Sequence, residues 1–434
     1  MVNSGNDDVG PDDYGPALSD PSPYWQTASL NPVLPCQDTA WTDACAAFLI
    51  AATRLQEQLP QPTRVALAPL VAHMNCFYSN LIEGHKTYPD EVEAVAAAPA
   101  PTTAHTADTA AAHDLLVAEA RAHILVQGAL RARLLAEPTW DPVRAESLAW
   151  MHATFYGHLP LKYRFTTSRS GTQRVPIKPG TWRTRSVTVG AHIPPEIKAI
   201  PAFMARFSEA YAGCVKPTPT SLAVIAASHQ RLAWIHPFID GNGRVARLLT
   251  DALVERSGLG ADGLWCVGRG FARHLDRYRA LLAAADGERH GDTDGRGPRT
   301  QAGLDRWCAF VLEIMLDQVH FMQDLIQPGK LRARILVWAE RESARDRLHP
   351  RAGRLIAEVV CAGSVPRNEA IEILRLTDRY GREQIRILLE QGLLSAAERE
   401  PLRPAFPLHV VPWWFPDLFP GDVEQRLVGT APQP

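Results

Sequence analysis

His236-Pro237-Phe238-Ile239-Asp240-Gly241-Asn242-Gly243-Arg244-Val245-Ala246-Arg247 is the stretch on which the reading of this chain turns. Pro237 disfavours the α conformation at the residue before it, so a helix through the apolar residues 221–235 must end at His236, leaving the imidazole at the mouth of a loop. A histidine with an ordinary pKa of about 6.5 suits proton abstraction near neutrality. Gly241 and Gly243 tolerate positive φ and carry no side-chain bulk, so successive N–H groups can turn inward as an anion-binding nest at the start of the next helix. Arg244 and Arg247, three residues apart, fall on one face of that helix, and their planar forks match phosphate oxygens. Asp240 adds a hard carboxylate oxygen beside the nest, where a magnesium ion needs one or two such ligands. Each piece alone also describes an ordinary helix stop, tight turn or solvated face. Together, nine specified residues in twelve recur by chance less often than about once in a million.

The segment resembles the motif of the Fic family, HPFx(D/E)GNGRxxR, at every specified position. The resemblance implies a helical core, ATP as co-substrate with Mg2+, and transfer of AMP to a Ser, Thr or Tyr hydroxyl of a target protein, the chain itself included. His236 would then deprotonate the attacking hydroxyl and Asp240 would ligate magnesium. Gly241, Asn242 and Gly243 would form the hole for the α- and β-phosphates, with Arg244 and Arg247 gripping the remaining oxygens. The 179–190 stretch, PGTWRTRSVTVG, is similar to the family's hairpin flap, which pairs main chain with an extended target segment. Its tip departs from the common Asn-Trp-Ile-Gly wording. Downstream, GRGFARHLDRYRALL resembles the helix that closes the nucleotide site, with Tyr278 as a contact, although the Asn-Arg pair often found there is missing.

Ser79, Glu83 and Gly84 in SNLIEG look like the family's inhibitory motif, (S/T)xxxE(G/N), in the subgroup restrained by an N-terminal helix. The implied brake is an ion pair from Glu83 to Arg247, in the place of the γ-phosphate. Removal of AMP instead of its addition, and a nucleotide-sensing core in a DNA-binding regulator, stay open as alternatives.

Outward from the motif, 434 residues at 46% hydrophobic are enough for two or three domains, and a formal net charge of -2 argues against indiscriminate nucleic-acid binding. The chain reads as mainly α: a helical core with a β-hairpin flap, followed by a C-terminal winged helix-turn-helix. Residues 1–30, rich in Pro, Gly and Asp, read as a disordered tail. Residues 31–110 read as an N-terminal helical region carrying the inhibitory motif, with a Pro/Ala/Thr linker near 96–108. Residues 111–330 read as the core, with helices over 115–135, 142–156, 199–211, 221–235, 243–257 and 304–325. Alternation across 163–195 reads as the hairpin. In 331–434, three helices precede a small wing, and Arg379, Arg382 and Arg386 share one side of the third. That leaves DNA binding open beside a structural or protein-docking role, as it leaves open a homodimer. Seven scattered cysteines without CxxC spacing, no basic leader and no run of 18 apolar residues predict a soluble, cytoplasmic protein without a membrane partner.

Overall fold

The computed structural model describes residues 23–97, 108–167 and 173–429. Two long helices come first, α1 (Thr39–Glu57), capped by the Asp38 carboxylate, and α2 (Gln61–Ile82), started by Pro60 and Pro62. α2 is long and apolar enough to cross a membrane, but 67% of that window is buried inside the protein. After α3 (Pro89–Ala97), α4 (Asp108–Ala136) lies along α2 and against α5 (Ala145–Gly157). Most of the linker near 96–108 lies outside the described residues.

Strands β1 (Phe165–Thr167) and β2 (Arg174–Pro176) pair antiparallel, with Thr166 opposite Val175. The 179–190 stretch, which its alternation predicts as a hairpin, forms no ladder; its one β-bridge joins Val189 to His192. The reason lies in where its donors go: the Arg183 amide is spent on Pro237 O at 2.8 Å, so the segment lies against the central loop instead of folding on itself.

Helix α6 (Ile200–Tyr211) then leads to α7 (Pro219–Ile235) and α8 (Asn242–Arg256), which pack against each other at the centre. Fourteen of the seventeen residues of α7 are buried, the pattern of a helix surrounded on all sides. Around them stand α9 (Gly268–Arg273), α10 (Leu275–Ala285) and α11 (Gln301–Leu325), the last lying across α1 and α7. Residues 23–30, which composition places in a disordered tail, pack on the core instead: Tyr24 lies 5.3 Å from Trp234, Arg299 lies over both rings, and Leu30 is fully buried. Aromatic contact outweighs the polar composition there. Residues 1–22 lie outside the described residues.

The C-terminal part runs α12 (Pro328–Ser343), α13 (Ala352–Ala362), α14 (Arg367–Leu374) and α15 (Asp378–Glu390), then a short ribbon of β3 (Leu394–Ser395) and β4 (Arg403–Pro404). Helix α15 carries Arg382 beside Asp378 and Arg386 between Glu383 and Glu390, so these two arginines are neutralised within their own helix. Beyond the ribbon the chain turns helical again, in α16 (Val411–Trp414) and α17 (Gly421–Val428), where proline-punctuated apolar residues read as continued wing. These last helices return to the N-terminal region: Phe419 meets Phe77, and Arg426 reaches Asp90 and Glu91. Residues from α1 to α17 share one apolar core.

Candidate active site

His236 caps α7 in the left-handed region, φ 49° and ψ 59°. Such a conformation costs a non-glycine residue about 1–3 kcal/mol and persists only where its surroundings enforce it. Here Pro237 disfavours the right-handed alternative. The main chain is also held on both sides: His236 N–H donates to Leu232 O at 3.0 Å, and His236 O accepts from Arg183 Nε at 2.9 Å. The imidazole Nδ1 lies 3.3 Å from Ala233 O. A carbonyl only accepts, so the proton belongs on Nδ1 and the lone pair on Nε2. Burial pushes the ring's pKa down to about 3, which keeps it neutral with the Nε2 lone pair unprotonated.

The loop that follows is closed by Asn242, whose side chain accepts from Phe238 N–H at 2.9 Å and donates to Phe238 O at 3.0 Å. Its amide is therefore consumed inside the loop, and only its main chain faces outward. Gly241 sits at φ 78°, where a Cβ would stand 2.8 Å from the Tyr156 ring. Its N–H is taken by Asp240 Oδ1 at 2.6 Å. No side chain caps the start of α8, so the first-turn amides from Asn242 onward are left for an anion. Burial draws the Asp240 carboxyl above the usual range, a cost that an adjacent hard cation would offset.

Arg244 and Arg247 are both buried, and each meets an acid from the N-terminal helices. Arg247 Nε donates to Ser79 Oγ at 2.9 Å, and its Nη2 to Glu83 Oε1 at 2.5 Å. Arg244 Nη2 donates to Glu119 Oε2 at 2.7 Å, and Glu119 also holds His85 Nδ1 at 2.9 Å. Burial raises the Glu83 pKa, but the guanidinium charges of Arg247 and Arg244 outweigh it and leave the carboxyl below its usual value. A Cβ on Gly243 would lie 2.7 Å from Glu83 Oε1. The glutamate thus lies directly on the glycine floor, between the two forks. Gly84, at φ 86°, ends α2 in a Schellman turn: His85 N–H donates to Asn80 O and Gly84 N–H to Leu81 O.

Tyr278, for which the family resemblance implies a nucleotide contact, lies beside Arg247, whose charge opposes the rise in pKa that burial causes. Its ring is 5% exposed, and its hydroxyl is spent on His229 Nε2 at 3.1 Å, with His229 Nδ1 on Thr250 Oγ1 at 2.8 Å. It belongs to a buried relay across α7, α8 and α10.

Residues 145–254 match the model of the Fic/DOC family. That segment of the chain is a Fic domain. It is similar to "Protein adenylyltransferase Fic" of Drosophila willistoni, 39% identical over 87 residues, and of Drosophila melanogaster, 40% over 83 residues. Each match covers 19% of this chain and 17% of the relative. Among solved structures, a Fic family protein from Desulfovibrio desulfuricans G20 is 17% identical with a TM-score of 0.47, covering 85% of this chain and 97% of that one.

Three residues at the Fic site carry no signal in the linear sequence. Glu119 lies 125 positions from the Arg244 it binds, inside an Ala-rich helix. Arg183 and His152 hold the main chain of the central loop from 53 and 88 positions away. Its burial, at 4% exposed, distinguishes Arg183 from Arg185, the other arginine of TWRTR.

Proposed function

We propose that this protein is an adenylyltransferase that moves AMP from ATP to a hydroxyl of a protein side chain, and that Glu83 restrains it. The observation that carries the reading is the meeting of a neutral imidazole, an uncapped helix start and two buried guanidinium groups around a glycine floor. In the proposed reaction the attacking oxygen bonds to the α-phosphorus, the bond from that phosphorus to the bridging oxygen breaks, and pyrophosphate leaves. The hydroxyl proton goes to His236 Nε2. First-turn amides of α8 hold phosphate oxygens, and Arg244 and Arg247 grip the outer ones. Asp240 would hold a magnesium ion, which would supply charge neutralisation at the phosphates when bound.

With Glu83 on Arg247, the fork that would receive the γ-phosphate is occupied and a negative charge faces the incoming triphosphate. A charge-assisted hydrogen bond contributes roughly 1.5–3 kcal/mol, or about ten- to 150-fold in an equilibrium. Glu83 is 35% exposed on its side chain, so the lower end applies. Glu83→Gly should raise AMP incorporation from labelled ATP about tenfold, detectable as added mass on the protein itself. His236→Ala in that background should remove it. An unchanged rate in Glu83→Gly would sink the brake, and survival of activity without His236 would sink the base. We also place the reaction in a reducing, cytosolic compartment, which the seven free cysteines support.

A further inference from the structure

Arg183 is a buried cation that donates to three main-chain carbonyls. Its Nε donates to His236 O at 2.9 Å, its Nη1 to Arg185 O at 3.2 Å and its Nη2 to Pro195 O at 2.5 Å, while its own amide donates to Pro237 O at 2.8 Å. A charge taken from water needs its donors satisfied. This one satisfies them by tying both limbs of the 179–196 segment to the carbonyls on either side of the His236–Pro237 bond. Burial lowers its pKa to about 10, so the fork stays charged at neutrality.

His152, fully buried on α5, works at the other end of the loop. Its Nδ1 accepts from Gly180 N–H at 2.9 Å, which places the ring proton on Nε2, facing Asp240 O at 3.3 Å. Its ring stacks on Phe238 at 3.9 Å and 5°. Both anchors therefore grip the 179–196 segment with one hand and the catalytic loop with the other. They hold it at the residues placed as base and as carboxylate.

We propose that Arg183 and His152 are positioning residues that lock the 179–196 segment to the His236–Asp240 loop, so that a target hydroxyl laid along that segment meets Nε2 at a fixed distance. The proposal rests on the transfer reaction above. Neither residue touches the α8 amides, so nucleotide affinity should be independent of them, whereas the rate of transfer should not.

The test uses full-length Glu83→Gly protein carrying Arg183→Lys, Arg183→Ala or His152→Asn. The lysine keeps the charge but loses the fork. The asparagine keeps an acceptor for Gly180 and loses the donor to Asp240. Expected are a fall in kcat of at least about tenfold for both Arg183 variants and about fivefold for His152→Asn, with affinity for a fluorescent ATP analogue within twofold of the parent. Free guanidinium should restore part of the rate of Arg183→Ala and none of that of Arg183→Lys. Amide hydrogen exchange over 180–190 and 236–241 should quicken in every variant that keeps the parent's circular dichroism. A kcat within twofold of the parent, or an affinity that falls in step with it, overturns the proposal. If the Glu83→Gly parent transfers no AMP, the reaction reading fails by itself; unchanged exchange over 236–241 in Arg183→Lys would then overturn the positioning role separately.

Discussion

Gly241 and Gly243 are two residues apart in one loop, yet they answer to different constraints. Gly241 lies at φ 78° with the Tyr156 ring 2.8 Å from where a Cβ would stand, so Gly241→Ala meets both a left-handed backbone and an aromatic wall. The conformational part alone costs about 1–2 kcal/mol. Gly243 lies within α8 at an ordinary helical position, and its added Cβ would meet only the ends of flexible side chains, Glu83 Oε1 at 2.7 Å and Arg247 Nη1 at 3.3 Å. Gly243→Ala should therefore melt close to the unaltered protein while pushing Glu83 off its arginine. Gly241→Ala should melt several degrees lower. Equal melting temperatures for the two would mean that the loop is not held as described. The chemistry of this loop was legible in its residue types, because histidine before proline and glycine beside arginine leave few arrangements. The partner of Arg244 and the wall against Gly241 were not, since Glu119 and Tyr156 reach the site only through packing of α4 and α5 against α8.

Helix α2 presents Asn75, Ser79 and Glu83 to α8 at steps of four, and α8 answers with Asp251 and Arg247 at the same step. Asn75 Nδ2 donates to Asp251 Oδ2 at 2.7 Å, one turn below the Ser79 and Glu83 contacts with Arg247. The Ser79–Glu83 spacing is visible in the sequence, but Asn75 gains meaning only when the two helices lie face to face. The same limit explains the displaced hairpin: alternation over 163–195 marks extended chain, and only the carbonyls that Arg183 finds decide that 165–176 pairs with itself while 179–190 pairs with the loop. Beyond Glu83, the chain is strapped from the far terminus. Arg426 of α17 donates to Asp90 at 2.7 Å and meets Glu91 at 2.8 Å, Lys86 pairs with Asp422, and Arg279 of α10 donates to Ile82 O at 3.0 Å. Half-exposed ion pairs of this kind contribute about 1 kcal/mol or less, which corresponds to at most about fivefold in an equilibrium. Arg426→Ala should therefore quicken amide exchange over 85–91 and raise AMP incorporation by a small factor, well short of Glu83→Gly. Exchange indistinguishable from the parent would show that α17 does not steady the end of α2.

Across the molecule, the tight packing that shapes the site also buries histidines in the neutral form. His123, His152 and His229 are each no more than 1% exposed, and burial pulls their pKa values to about 3, 4 and 3. Two of them are fixed on both ring nitrogens by neutral partners that suit an uncharged ring: His229 lies between Thr250 and Tyr278, and His152 between Gly180 and Asp240 O. In the unfolded chain the same rings take up protons below about pH 6.5. Between that value and the folded pKa values the unfolded state holds more protons, so stability rises with pH and is lost as pH falls. Each ring contributes about 1.4 kcal/mol of loss per pH unit in that window. The Glu83 carboxyl works in the opposite sense only at lower pH: its pair with Arg247 is complete above the ordinary carboxylate range and is lost as pH falls through the depressed value. Acidification should accordingly loosen the fold before it frees the arginine. Burial raises the carboxyls of Asp251 and Glu424 to about 7 and of Asp286 to about 6, and these offset part of that loss over the same window. The melting temperature at pH 5.5 should still lie a few degrees below that at pH 7.5, and replacing His229 with Gln, which can bond Thr250 without taking a proton, should narrow that difference. Equal melting temperatures at the two pH values, or a His229→Gln protein as acid-sensitive as its parent, would mean that these rings do not govern acid stability.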